Sequence, residues 1–198
     1  MKTAYLTLIA ATLAASQAGA FEIIRWDWND GTVQGWSGTN GNQANVGNQF
    51  QSINNGNGTL QMFSPDVDAV DLTQLTSISF DLTIDTFSIV SAPSEIDTAQ
   101  LDLNDSTQKG VLLQWDLDLA GLAFGQTRSF NLLIGDAQGS LSLADVEFIG
   151  LSFAESTLTA HNSTARLDNF VLTGVPEPTS LALLSLGGLL VARRRRYI

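Results

Sequence analysis

The sequence predicts an all-β protein, an antiparallel β-sandwich of jelly-roll type, placed between two apolar terminal segments. Apolar and polar residues alternate along about nine or ten short segments, which is the period of half-buried strands. Clusters of Gly, Asn, Asp and Ser separate these segments and favour turns. Helical periodicity is nearly absent between the two ends. Successive strands without intervening helices form sandwiches or barrels, and a closed barrel is the alternative fold.

The amino-terminal segment, residues 1–20, predicts a signal peptide. Lys2 supplies a basic start, residues 6–15 form an apolar centre, and Ala18 and Ala20 flank Gly19 in a small-residue cleavage site. We expect this segment to be removed on export. Residues 21–174 then form one domain, which is long enough to bury a sizeable core.

The clearest predicted strand runs through Ile78, Phe80, Leu82 and Ile84. These apolar residues share one face, and Ser, Asp and Thr residues lie between them, so one face is buried and the other meets water. The segment 111–119 repeats the pattern and places Trp115 among leucines, as a core residue. Further strands are predicted at 21–28, 49–53, 59–63, 99–103, 127–134, 146–153 and 165–173. The Gly- and Asn-rich stretch 38–48 is predicted to be a flexible surface loop.

The carboxyl-terminal segment, residues 175–198, has three parts in a fixed order. Pro176, Glu177 and Pro178 come first, and an apolar run at 181–192 follows. The segment ends with a basic cluster made of Arg193, Arg194, Arg195 and Arg196. Apolar residues enter a bilayer because each buried CH₂ contributes about 0.8 kcal/mol, and basic clusters stay cytoplasmic. We therefore expect a short transmembrane helix whose carboxyl end lies inside the cell.

This arrangement resembles the PEP-CTERM sorting tail, in which a Pro-Glu-Pro signature precedes a hydrophobic helix and an arginine-rich end. The resemblance implies that an exosortase-type sorting peptidase removes the tail at or near the signature. It also implies transit through the inner membrane to the cell surface or extracellular matrix of a Gram-negative-type bacterium.

Charge and cysteine content exclude several classes of partner and site. The chain has 20 acidic and 9 basic residues, a net charge of −11, and no cysteine. Without Lys2, Glu177 and the terminal arginines, 19 acidic and 4 basic residues remain. Such a body repels nucleic acid phosphates. It contains no disulfide and no thiolate metal site.

Segments at both ends of the body resemble carbohydrate-binding-module-like jelly rolls. Residues 26–36 resemble the opening F-E-D-G-T-x-x-G-W of these modules, and residues 165–172 resemble their closing I-D-N-V-x-L. In such modules, acidic side chains of the first and last strands often hold a structural calcium ion. Asp30 and Asp168 are the matching residues, although Asn29 replaces one acid of the pattern. Without calcium, Asp30 caps a turn and Asp168 faces water. No other cofactor is expected.

Three tryptophans are candidates for sugar binding. Pyranose rings stack on indole faces, and Trp26, Trp28 and Trp36 are available near the start of the body. Trp26 and Trp28 are two residues apart, on one face of a predicted strand. The alternative for each is a place in the core.

Catalytic residues are not predicted. His161 is the single histidine, and no G-x-S-x-G segment surrounds a serine. Asp81 with Asp85, or Asp116 with Asp118, could meet the carboxyl spacing of a glycoside hydrolase, but acidic strands contain such pairs by chance. The sequence predicts a non-enzymatic, exported surface or matrix protein whose body has carbohydrate as its candidate ligand. The alternatives are a secreted carbohydrate-active enzyme of glycoside-hydrolase type, and a calcium-stabilised adhesion module.

Overall fold

A computed structural model of the chain describes residues 19–38, 42–54, 60–86, 98–105, 111–140, 142–153 and 163–175. Most of the predicted signal peptide lies outside these residues, as does His161. The predicted sorting signal also lies outside them: Pro176, Glu177, Pro178, Arg193, Arg194, Arg195 and Arg196.

Eleven strands are present in the described ranges. They are β1 Phe21–Trp26, β2 Ser37–Gly38, β3 Gln43–Asn45, β4 Phe50–Asn54, β5 Gln61–Phe63, β6 Leu75–Thr86, β7 Thr98–Asn104, β8 Val111–Asp118, β9 Thr127–Leu133, β10 Phe148–Phe153 and β11 Ser163–Gly174. Two short 3₁₀ turns, Ile134–Asp136 and Leu143–Asp145, are the helical elements of the same ranges. The described part of the chain contains no helix of the length and apolarity that crossing a bilayer requires.

The strands form two antiparallel sheets. The six-stranded sheet has the order β3-β4-β11-β6-β9, and β1 also pairs with β11, beyond the stretch that pairs with β4. The five-stranded sheet has the order β2-β5-β10-β7-β8. Because β5 and β10 lie in one sheet while β6 and β11 lie in the other, the chain crosses repeatedly between the two layers. The predicted antiparallel β-sandwich of jelly-roll type is confirmed.

The predicted strands all occur, with shifted ends, and the predicted flexible loop at 38–48 is wrong. Strand β3 and the end of β2 lie in that stretch, and the Asn45 Nδ2 atom donates hydrogen bonds to the carbonyl oxygens of Trp28 and Thr32, at 2.7 and 2.8 Å. Strands of two or three residues are too short to show an alternating pattern. The sequence therefore resembled a loop.

The core lies between the two sheets. The inward residues of β6, which are Ile78, Phe80, Leu82 and Ile84, are all buried, as their alternation predicted. The Ser52 Oγ atom on β4 donates a hydrogen bond of 3.0 Å to the Gln61 carbonyl oxygen on β5, which joins the two sheets through a buried polar contact. Burial of apolar side chains on both inner faces supplies the main stabilisation of a sandwich of this kind.

The two ends of the body lie together. Strand β1 pairs with the end of β11 so that Phe21 is opposite Gly174. The Val175 backbone N–H donates a hydrogen bond of 3.1 Å to the Gln74 carbonyl oxygen. The residue that follows the predicted signal peptide is therefore beside the residue that precedes the predicted tail.

Candidate functional site

A groove opens on the outer face of the five-stranded sheet, where β5, β10 and β7 run side by side. Its volume is about 260 Å³. The lining residues are Gln61, Phe63, Asp102, Asn104, Phe148, Gly150, Leu151 and Ser152. Pockets that enclose a drug-sized ligand measure roughly 300–1,000 Å³. This groove can therefore hold one end or one unit of a longer molecule and leave the rest in solvent.

Gly150 forms the floor of the groove. It lies on the central strand β10, opposite Phe63 on β5 and opposite Asp102 on β7. A Cβ atom on Gly150 would lie 3.5 Å from the Asn104 Nδ2 atom and 3.6 Å from the nearest Phe63 ring carbon. These are ordinary contact distances, so the backbone does not require glycine for lack of space. The missing side chain leaves room for a ligand instead.

Two half-buried phenylalanines form one wall of the groove. The Phe63 and Phe148 rings are 6.2 Å apart between centroids, with an interplanar angle of 75°. In this edge-to-face arrangement one ring keeps a face free of its partner. Both side chains stand on the outer face because they alternate with the buried residues Met62 and Ile149. An aromatic face beside polar groups is the arrangement that binds a pyranose ring.

Asp102 contributes a carboxylate to the groove, and one of its oxygen atoms lacks a hydrogen-bond donor. Its Oδ1 atom is shielded from water and has no hydrogen-bond partner among the described residues. Burial, and secondarily the negative charge of Asp116, raises the pKa of Asp102 to about 6. The protein therefore holds this carboxyl partly stripped of water, with its Oδ1 atom uncompensated.

Asp116 lies beside the groove and is surrounded by amide donors. Gln100 Nε2 donates to its Oδ1 atom at 3.1 Å, Gln114 Nε2 donates to the same atom at 3.4 Å, and Gln138 Nε2 donates to its Oδ2 atom at 3.3 Å. Three strands or loops converge on this carboxylate. The polar band extends the surface available to a ligand from the groove toward β8.

The three tryptophans that were candidates for sugar binding are core residues, which is the alternative that the sequence left open. Trp26, Trp28 and Trp36 are 7%, 0% and 1% exposed. Trp36 packs edge-on against Trp26 and Trp28, with ring centroids 5.5 and 5.8 Å away. Phe50 and Phe170 complete the cluster. Rings packed on all sides present no face to a sugar. The prediction that Trp115 belongs to the core is confirmed, because it is 5% exposed.

Asp30 and Asp168, the calcium candidates, are each bound by donors close to them. The backbone N–H of Thr32, and then its hydroxyl, hold the pKa of Asp30 below its usual value. Asp168 accepts a hydrogen bond from the Asn169 backbone N–H at 2.8 Å and one from the Gln49 side chain at 3.4 Å. Calcium takes six to eight oxygen ligands. No group of three or more acidic or histidine side chains in the described ranges is arranged for a metal. A calcium site at Asp30 and Asp168 stays a prediction.

The carboxylate pairs considered for hydrolysis have other partners. Asp85 is bound by Arg166, and Asp81 accepts hydrogen bonds from Ser129 and Asn169. Asp116 is held by amides, as described above. The groove residues Phe63, Asp102, Phe148 and Gly150 were not predicted as a site. A signal was present, however, since large apolar residues at Phe63 and Phe148 occupy outward positions of their strands.

Comparison with known proteins identifies the tail and the fold. Residues 174–196 match the PEP-CTERM protein-sorting motif. No curated protein sequence matches the chain. The carboxyl-terminal segment is thus a PEP-CTERM sorting motif, as the sequence predicted.

Solved structures with the same fold include carbohydrate-binding modules. A family 11 module from Clostridium thermocellum, in complex with a β-1,3-1,4-mixed-linked tetrasaccharide, shares 15% identity with a TM-score of 0.50, over 81% of this chain and 98% of its own. A family 28 module specific for non-crystalline cellulose shares 13% identity with a TM-score of 0.50, over 77% and 94%. An exo-β-agarase shares 13% identity with a TM-score of 0.52, over 79% of this chain and 25% of its own. At these identities the likeness establishes a shared jelly-roll fold.

Proposed function

We propose that this protein is an exported, non-enzymatic β-sandwich that binds a polysaccharide through the groove around Gly150. The carrying observation is the juxtaposition of an aromatic pair, Phe63 and Phe148, with polar groups that include the Asp102 carboxylate. A sugar ring offers apolar C–H groups on its faces and hydroxyl groups around its edge. The phenylalanines match the first, and the carboxylate and amides match the second.

The sorting tail supports the place of action. A PEP-CTERM motif at residues 174–196 supports passage through an exosortase-type system to the cell surface or the extracellular matrix. Because Phe21 and Gly174 are paired, the tail would hold the body by one end of the sandwich during transit. Mass spectrometry of the exported protein should find a chain that ends near Pro176. A chain intact through Ile198 would contradict the processing step.

Retention on a panel of soluble and insoluble glycans tests the binding. We expect the protein to be retained on at least one glycan. Phe63→Ala should weaken this retention by a factor of about two to ten, since stacking on an aromatic ring contributes about 0.5–1.5 kcal/mol beyond the area that it buries. Near-UV circular dichroism should show that the variant stays folded.

Phe124→Ala is the matched control, because Phe124 is an exposed phenylalanine outside the groove lining. It should leave retention unchanged. Equal losses in the two variants would point to general stickiness of exposed rings and would contradict a sugar site in the groove. Release of reducing ends from any glycan would contradict the non-enzymatic proposal.

A further inference from the structure

The charges around the groove all have one sign. Asp102 is paired with Gln114 on the neighbouring strand β8, and Asp116 lies two residues further along that strand, close enough for its charge to act on Asp102. Strand β5 contributes the uncharged Gln61 and Phe63. Asp105 follows the end of β7, and Glu147 precedes β10, where its backbone N–H donates to the Asn104 carbonyl oxygen. Acidic groups therefore surround the site on its own strand and on the strands beside it.

No basic side chain among the described residues lines the groove. The three arginines of those ranges have other partners. Arg25 pairs with Glu22, Arg166 pairs with Asp85, and Arg128 donates to the carbonyl oxygens of Asp118 and Ala120. Among the described residues, a polysaccharide made of uronic acids would meet acidic side chains and no free basic one at this surface. These residues favour a ligand that is neutral or carries positive charge.

We propose that the groove selects polysaccharides that carry free amino groups, with the sugar ammonium paired to the Asp102 carboxylate and the ring placed against Phe63 or Phe148. This inference rests on the proposed function and names its substrate class. Burial strips the Oδ1 atom of Asp102 of water and supplies no donor to that atom, while the residue lines the groove. An ammonium group in the groove that pairs with this carboxylate forms a charge-assisted hydrogen bond.

Acidity separates an amino sugar from a neutral one. The pKa of Asp102 in the free protein is about 6. An ammonium binds the ionised carboxylate, so affinity for an amino glycan should fall as the pH drops through this value. A neutral ring laid over the carboxyl favours the protonated form. Affinity for a neutral glycan should therefore stay constant or rise as the pH drops through the same interval.

The test compares two oligosaccharides of equal length that differ only in the amino group. The full chain, purified in mild detergent, is titrated calorimetrically at pH 5 and pH 7 with a glucosamine oligomer and with its N-acetylated counterpart. The sugar amine itself loses its proton around neutral pH, so a further titration is made at about pH 6.5, where we expect the free amine to raise affinity about tenfold. At pH 5 the preference should shrink. Asp102→Asn should abolish the preference, and Asp118→Asn, which removes the same charge from an exposed site outside the lining, should keep it.

Three results would overturn this assignment. They are equal affinities for the two oligomers, a preference that survives Asp102→Asn, and equal losses in the Asp102 and Asp118 variants, which would indicate general attraction to an acidic surface. In each case, the proposed function would still be supported if a neutral oligomer bound and if Phe63→Ala weakened that binding. Failure to bind any oligosaccharide would instead overturn the proposed function itself.

Discussion

The outer faces of the two sheets differ at one partly buried acid. On the six-stranded sheet, Arg166 donates two hydrogen bonds of 2.6 Å to the Asp85 carboxylate and one to Gln49. The Asp85 side chain lies partly buried in this bidentate pair. On the five-stranded sheet, Asp102 is also partly buried, yet its Oδ1 atom has no partner among the described residues.

Among the described residues, the one buried acid oxygen without a hydrogen-bond partner therefore lies on the five-stranded sheet. On the six-stranded face, Asp81 also has donors, since Ser129 and Asn169 both reach it, and Thr83 bonds to Thr127 at 2.7 Å. A buried polar group without a partner costs free energy. Three buried side-chain atoms of the described residues lack a partner, namely Trp36 Nε1, Asp102 Oδ1 and Ser163 Oγ, and of these residues only Asp102 lines the groove.

Removing the partner on the satisfied face should have the largest effect on stability. Arg166→Met keeps much of the side-chain length but leaves the Asp85 carboxylate without its two donors. We expect the free energy of unfolding to fall by about 1–3 kcal/mol, the range for lost hydrogen bonds to charged groups. Urea unfolding followed by tryptophan fluorescence measures it.

Arg25→Met is the control for that change. Arg25 also binds a carboxylate, that of Glu22, but on an exposed surface where water replaces the lost contact. Its unfolding midpoint should match that of the unmodified protein. If Arg166→Met behaved in the same way, the polar cluster on the six-stranded face would have no structural role.

The fold was predictable from this sequence because its signal is repeated. Residues such as Ile78, Phe80, Leu82 and Ile84 alternate over a long strand, and each alternation fixes which side faces the core. The sorting motif at residues 174–196 was likewise predictable, because all of its parts lie in one continuous segment. Short strands without such repetition, β2 and β3, were missed.

The site was not predictable in the same way because it is assembled across strands that are distant in sequence. Phe63, Asp102 and Gly150 meet only through the pairing of β5, β10 and β7. Residue type favoured a sugar site at Trp26, Trp28 and Trp36, but large aromatic side chains also fill the space between two sheets. The type of a residue does not determine whether its side chain faces solvent or the core. The register of the strand determines it.

The unsatisfied acid should show itself in the pH dependence of stability. Folding raises the pKa of Asp102 from 3.8 to about 6, so the folded protein binds this proton more tightly than the unfolded chain does. The contribution of Asp102 to the free energy of unfolding is therefore most favourable below about pH 4 and is lost as the pH rises to about 6. Because the carboxyl is partly solvated, we expect a loss of about 1 kcal/mol rather than the full value of the shift.

Asp102→Asn isolates this contribution, because the amide has nearly the same shape and does not titrate. Relative to the unmodified protein, the variant should gain about 1 kcal/mol as the pH rises from 4 to 7, by urea unfolding at each pH. A difference between the two proteins that is constant over this interval would contradict an uncompensated carboxylate in the groove.

The smallest effect on stability is expected at the floor of the groove. Gly150→Ala adds a methyl group whose nearest neighbours lie 3.5 Å away or farther, and alanine loses less backbone entropy than glycine on folding. The unfolding free energy should therefore change by less than about 1 kcal/mol. Gly174→Ala is the matched contrast, because its Cβ would lie 2.7 Å from the Gln74 carbonyl oxygen and would force the backbone apart. Retention on the glycan that the protein binds should fall in Gly150→Ala despite the intact fold. A strongly destabilised Gly150→Ala, by contrast, would mean that packing and not ligand space explains this glycine.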